Sequence, residues 1–344
     1  MNLYGLTLDE LQEITHGYGW PRYTARQIAS WMYAKACRDF EGMSNLSKIQ
    51  RRRLKEDHSI FLTEHSHVSQ SQDGTKKYLY PYGHSRSIET AYIPEEERAT
   101  LCVSSQVGCK MGCLFCMTAK QGFQGNLSPG EIVGQYAALP ERKMVTNFVY
   151  MGMGEPLDNL DSVLKSLEIL TADWGYGFPP KKITVSTIGL KKGVLEFLKA
   201  SECHLALSLH SPFPEERANL MPIETVFPAE DILAELRMND WTGKRRFSVE
   251  YIVFGGLNHS PAHAKALARI LQGLKVRINL IPFHPVPGTD LRGGSREEME
   301  EFQARLKEKG IVTTIRRSRG LDIDAACGLL STKKLLNENR DFDF

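Results

Sequence analysis

The chain has 344 residues, 43 Lys and Arg against 41 Asp and Glu, a net charge of +2 and an ordinary share of apolar residues. That length has room for one large domain or a large domain with an appendage, and the near-neutral balance excludes a chain that is basic throughout, so any nucleic-acid face must be local. Seven cysteines, four of them between residues 102 and 116, argue against a secreted disulfide framework and for a reducing, cytoplasmic setting; with no signal-peptide pattern and no apolar run of membrane length, no membrane partner is expected.

Residues 1–60 read as a small helical unit. Thr7 and Glu10 have the spacing of a capping box, and Gly17 and Gly19 suit the end of that helix. A second helix from Pro21 would place Ile28, Trp31, Met32 and Ala36 on one stripe. A third carries Lys48, Arg51, Arg52, Arg53 and Lys55 with no acid between 48 and 55, which is either a solvated face or one that meets phosphates. Over residues 61–99 the pattern becomes strand-like. Tyr78, Tyr80 and Tyr82 share a face, Ile88 to Ile93 forms a second run, and Gly83 and His84 suit the turn of a short antiparallel β extension. Glu89, in the second strand, reads by itself as a surface or ion-paired carboxylate.

From residue 100 to about 330, strands alternate with helices. Apolar runs at 101–104, 145–150, 183–186, 205–209, 247–253 and 276–281, separated by amphipathic segments, predict an α/β fold: a partial (β/α)6 TIM-like barrel, with a seventh run at 311–315 on one edge and a tail from 331 to 344. In such barrels chemistry sits at the carboxyl ends of the strands. The unusual residues fall there: the cysteines after the first run, Gly152 to Pro156 after the second, Ser186 and Thr187 on the third, Ser208, Leu209 and His210 on the fourth, and His284 after the sixth. Singly, each is an ordinary strand-end residue, and Gly152 with Gly154 could be plain turn glycines; together they make a polar mouth suited to a cofactor.

Cys109, Cys113 and Cys116 form a C-x3-C-x2-C run between Gly108 and Gly112. Three thiols this close repel one another unless a soft metal centre holds them. Zinc asks for a fourth ligand and two spaced pairs, whereas a four-iron cluster on three cysteines keeps one iron open. Cys327, in DIDAACG, would alone be a packed thiol, and Cys37 and Cys203 are assigned to packing.

C-x3-C-x2-C followed by MGMGEP resembles the radical S-adenosylmethionine (SAM) superfamily. SSQVGC, MGMGEPLDN, VSTIGL, LSLHSP and DIDAACG further resemble its RlmN/Cfr family of RNA methyltransferases, from about residue 1 to residue 330. The resemblance implies a [4Fe-4S] cluster on Cys109, Cys113 and Cys116, with SAM on the open iron and two SAM used per turnover. It implies SAM contacts from Gly154, Glu155, Ser186, Ser208, Leu209, His210 and His284, although the family pattern has asparagine where this chain has His284. It makes residues 1–60 an accessory domain that helps hold RNA. Cys327 becomes the methyl carrier, Cys102 the thiol that resolves the protein–RNA adduct through a transient disulfide, and Glu89 the proton acceptor. The reaction implied is radical methylation of carbon 2 of adenine, through a 5′-deoxyadenosyl radical, in 23S ribosomal RNA and in transfer RNA 3′ of the anticodon. A flavodoxin or ferredoxin would supply electrons, and the chain would act as a monomer. Two alternatives stay open at this point: methylation of carbon 8 of the same ribosomal adenine, against which GEPL at 154–157 speaks, and a zinc-stabilised RNA-binding protein without catalysis.

Overall fold

Thr7 and Glu10 do close a capping box, the Thr7 amide donating to Glu10 Oε2 at 2.8 Å, and start α1 (Leu8–Gly17). The structure, a computed structural model, describes residues 1–82, 86–241, 243 and 245–331, so the turn expected at Gly83 and His84 and the tail beyond Ser331 lie outside the described residues. Helix α2 (Tyr23–Met32) buries Thr24, Ala25, Ile28, Ala29 and Met32. This corrects the expected stripe. The helix stops at Met32, Ala36 lies beyond it with a left-handed φ of 52°, and Trp31 stays part-exposed while its indole N–H donates to Asn45. A second capping box, Ser47 with Gln50, starts α3 (Lys48–Asp57). Its basic residues have acidic neighbours: Arg53 pairs with Asp57 at 2.8 Å and Lys55 with Glu41 at 3.5 Å. Such exposed pairs contribute little stability and leave the charges accessible.

This unit shares its core with the rest of the molecule. Leu3, Ile28, Met32 and Leu54 belong to the same buried cluster as the barrel strands. Tyr33 stands 5.6 Å from Tyr176 and 6.0 Å from Trp174, ring to ring, so residues 1–60 dock on the barrel through an aromatic seam.

Ten strands form one sheet in the order β1 (His67–Gln70), β2 (Lys76–Tyr82), β3 (Arg86–Pro94), β4 (Ala99–Cys102), β7 (Asn147–Tyr150), β8 (Ile183–Thr187), β9 (His204–Ser208), β10 (Phe247–Val253), β11 (Val276–Pro282) and β12 (Val312–Ile315). Strands β5 (Gln106–Val107) and β6 (Gly125–Asn126) make a separate small ribbon. The first three strands are antiparallel and β3 pairs with β4, so the β extension continues the barrel sheet instead of linking to it. From β4 to β12 all seven strands are parallel and in sequence order, with helices in the connections, as right-handed crossovers demand. The sheet does not close, because β3 occupies the outer edge of β4 and β12 ends the order. The expected partial barrel is therefore present with seven parallel strands, the seventh run adding β12 at the edge. No helix among the described residues is long and apolar enough to cross a membrane.

Candidate active site

Parallel strands of alternating character leave one side chain in two facing the barrel interior. On β10, Ser248 and Glu250 face in; on β11, Asn279; on β12, Thr314. They are joined by hydrogen bonds: Asn279 Nδ2 donates to Glu250 Oε1 at 2.7 Å, and Thr314 Oγ1 donates to Asn279 Oδ1 at 2.7 Å. These residues line a cavity of about 910 Å³, whose wall also includes Cys102, His284, Arg316 and Cys327. A polar-floored cavity of that size can admit a base or nucleotide.

After β4 the chain enters the cysteine loop. Gly108 has φ 73°, and a Cβ there would lie 1.7 Å from the Gly122 carbonyl oxygen, so only glycine lets the loop fold back on itself. Cys109 and Cys113 are buried in a cluster with Met111, Phe115, Ile188, Met221 and Phe254, and Cys116 packs against it. Burial, first, and the neighbouring sulfurs raise all three thiols, Cys109 to about 12. Among the described residues no three His, Cys, Asp or Glu side chains are gathered to hold a metal ion by themselves. A polynuclear cluster is several ångströms across and spreads its ligands wider than one ion does. An all-thiol donor set with an apolar wall fits such a group, and Cys109, Cys113 and Cys116 are the residues that would hold it.

Around this loop the strand ends are locked to one another. Gly154 has φ 98°, and a Cβ on it would meet Gln106 Cβ at 2.5 Å. Glu155 is buried, and both carboxylate oxygens are taken: Oε1 accepts from Thr187 Oγ1 at 2.6 Å and Oε2 from the Ile188 amide at 3.0 Å, which ties the end of β7 to the end of β8. Burial lifts this carboxyl to about 7. His210 holds a left-handed φ of 60°, its Nδ1 accepting from the Ile252 amide at 3.0 Å, so Nε2 carries the proton. Burial, then Arg217, lowers it to about 3, which keeps the ring neutral. Arg217 is 1% exposed and grips three carbonyls, those of Ile188, Ser208 and Leu209, while pairing with buried Glu224. Replacing Arg217 by Met is expected to cost about 3–5 kcal/mol, because it strands the Glu224 charge; a lower midpoint in denaturant unfolding checks this.

The segment after β12 crosses the open side of the barrel. Arg319 donates to the Pro94 carbonyl at 2.6 Å, and Asp322 accepts from Ser71 Oγ at 2.6 Å and the Gln72 amide at 3.1 Å. Farther on, the Met117 amide donates to the Gly328 carbonyl at 2.8 Å and Thr118 Oγ1 to the Leu330 carbonyl at 2.7 Å, which anchors the segment beside Cys116. Cys327 is thereby held exposed, and Cys102 is buried against Ala91 and Ala325. Burial, then the Cys327 sulfur, pushes the Cys102 thiol up to about 12. Burial favours a neutral Arg316, but Cys327, Glu250 and Cys102 outweigh it and keep the guanidinium charged.

Glu89 lies on the same face as Cys102. Register pairs Ala91 with Cys102, and Glu89 is two residues along β3. It is fully buried and does not itself line the cavity; Oε2 accepts from the Ser331 amide at 2.8 Å, and Oε1 is 3.1 Å from the Lys77 ammonium.

The expected site residues thus fall into two groups. Cys109, Cys113 and Cys116 lie on the cysteine loop, with Glu155 and His210 beside it and Gly154, Ser186, Ser208 and Leu209 at the neighbouring strand ends, while Cys102, His284 and Cys327, which the crossing segment carries, line the cavity and Glu89 is buried on the Cys102 face. His284 departs from the other expected SAM contacts by lining the large cavity, its Nε2 2.9 Å from Ser318 Oγ. Cys203 is core, and Cys37 packs against it. Sequence reasoning missed Lys77, Arg217 and Arg316. Lys77 had a visible signal, a lone charge on the strand face that also carries Leu79 and Pro81; the arginines had none.

Residues 103–271 match the family model of the radical SAM superfamily, and residues 1–60 match that of the ribosomal RNA large subunit methyltransferase N-terminal domain. The chain is 52% identical over 339 residues to a probable dual-specificity RNA methyltransferase RlmN of Bacteroides fragilis, covering 98% of each. It is 41% identical over 340 residues to a dual-specificity RNA methyltransferase RlmN of Syntrophus aciditrophicus, covering 97% of each. The crystal structure of a radical SAM methyltransferase from Sphaerobacter thermophilus matches with a TM-score of 0.88 at 38% identity, over 97% of this chain and 100% of the other.

Proposed function

Because the chain belongs to the RlmN family of radical SAM RNA methyltransferases, we propose that it methylates carbon 2 of adenine in 23S ribosomal RNA and, 3′ of the anticodon, in transfer RNA, with Cys327 carrying the carbon and Cys102 releasing it. The observation that carries this reading is one exposed and one buried cysteine on the wall of a single cavity. Carbon 2 lies between two ring nitrogens and is electron-poor, so it cannot displace a methyl group from SAM. A thiolate can, and exposed Cys327 is free to do so. When bound, the cluster on Cys109, Cys113 and Cys116 and two molecules of SAM supply one-electron chemistry and the methyl group.

The chain's own residues then finish the reaction. Once the adduct has given its odd electron back to the one-electron chemistry that the cluster would supply, Glu89, buried beside the cavity wall, takes the ring proton. Cys102 then attacks the Cys327 sulfur, forming an S–S bond as the bond from sulfur to the product carbon breaks and leaves its electron pair on that carbon, which takes up a proton to complete the methyl group. Exchange with two cellular thiols returns both cysteines. Arg316, charged beside both sulfurs, favours Cys102 as thiolate when it attacks. Gly154, Glu155, Ser186, Ser208, Leu209, His210 and His284 are the proposed SAM contacts. A small redox protein, flavodoxin or ferredoxin, is the proposed electron donor, and the working unit is a monomer.

Nucleoside mass spectrometry of ribosomal and transfer RNA from cells with and without the protein tests the assignment. 2-Methyladenosine in both pools, lost with the protein, is the expected result; 8-methyladenosine instead would overturn the choice of carbon. Anaerobically purified protein is expected to contain iron and sulfide, which Cys109→Ala, Cys113→Ala and Cys116→Ala each lose and which Cys37→Ala and Cys203→Ala retain. One zinc and no iron by elemental analysis would refute the cluster.

A further inference from the structure

Lys77 has no role in the reaction as described, and its placement is unusual. Lysines are almost never buried without a partner, yet this one is 8% exposed. It sits on β2 in register with Ala91 of β3, which is in register with Cys102 of β4, so Lys77 and Cys102 occupy one row across three strands. Its ammonium is 3.1 Å from Glu89 Oε1 and 3.5 Å from the carbonyl of Asp324, the residue before the Ala325 that packs on Cys102.

We infer that Lys77 is the positioning residue for Glu89: its buried ammonium, 3.1 Å from Oε1, favours the carboxylate form against burial and, through the Asp324 carbonyl, fixes it relative to the segment that carries Cys327. The inference rests on the reading of Glu89 as proton acceptor. A carboxyl at 0% exposure would otherwise take up a proton to avoid a lone buried charge, and a protonated carboxyl accepts no proton from the ring. The groups that face Glu89 from the packed elements are few. Ser331 donates an amide hydrogen to Oε2, the Glu89 amide is 3.3 Å from Met153 Sδ, and the Ser104 hydroxyl bonds the Glu89 carbonyl. The Asp324 carboxylate adds a like charge that opposes ionisation. Lys77 is the cation of this set. Burial raises Glu89 above the usual carboxylate range, and Lys77 is the largest influence holding it back. Loss of Lys77 therefore moves the pH at which Glu89 becomes a base upward.

The test is release of methylated RNA from preformed adduct, followed across pH in the full-length holoenzyme, with Lys77→Met, Lys77→Gln, Lys77→Arg and Glu89→Gln. The Met and Gln variants are expected to methylate Cys327 and form adduct, but to release product about tenfold or more slowly at neutral pH and to recover toward the parent rate as pH rises. The Arg variant is expected to stay near the parent. An infrared band of a protonated carboxyl is expected in Lys77→Gln at neutral pH and not in Lys77→Gln/Glu89→Gln. A parent-like pH profile in Lys77→Gln, with Glu89→Gln inert, would overturn the role of Lys77 and leave Glu89 as base. Normal release by Glu89→Gln would remove the base and the inference with it.

Discussion

A Cys327→Ala protein is expected to lose RNA methylation altogether while keeping its bound iron and the absorbance that reports it. The loss is expected to be on the order of 10⁶-fold, as when a covalent nucleophile is removed from an enzyme that acts through it. No other route is open to the ring, since its carbon has no nucleophilicity to be improved by positioning or by a shifted pKa. Cys102 cannot substitute, being buried against Ala91 and Ala325 with its thiol near 12. The fold is expected to survive, because Cys327 is exposed and makes none of the contacts that anchor its segment, which run through Gly328, Leu330 and Ser331. Mass spectrometry of the isolated protein adds a second readout: the parent is expected to carry an extra methyl on the peptide with Cys327, and the alanine protein none. Turnover by Cys327→Ala would end the account of sulfur as carrier.

The Cys102→Ala change is expected to act one step later. Cys327 is methylated and the adduct with RNA forms, but no thiol is placed to attack its sulfur, so protein and RNA remain covalently joined. Free methylated RNA is expected to fall to background, while a protein–RNA band that survives denaturation rises toward one per active protein. External thiols do not rescue release, because the attacking sulfur has to come in line with the bond it breaks, and the Cys102 position lies beneath Ala325. Methylated RNA released by Cys102→Ala at the parent rate would assign resolution to another group.

Much of the site was legible because it is local in the chain. The C-x3-C-x2-C run, the glycines beside it and the two polar strand ends each occupy a few consecutive residues, and the strand–helix rhythm places them at one mouth. Element boundaries were close too: β10 runs over Phe247–Val253 as expected, and the run expected at 205–209 is β9, His204–Ser208. The stripe on α2 was misread since Ala36 keeps the helical period although the chain has already turned away, and periodicity alone carries no stop signal there. Glu155 is the sharper case. Its position after β7 is plain in the sequence, but the commitment of both its oxygens to Thr187 and Ile188 depends on how β8 lies beside β7.

By itself, the sequence determined which thiols are crowded, where strands and helices alternate and which residues reach the strand ends, because each follows from spacing along one stretch of backbone. Only the tertiary structure decided that Lys77 meets Glu89, that Arg316 stands by Cys102 and Cys327, and that a segment more than 200 residues after Cys102 shares its cavity. Those contacts are set by the register of neighbouring strands and by where the open barrel leaves a gap, and no local pattern encodes a partner across the sheet.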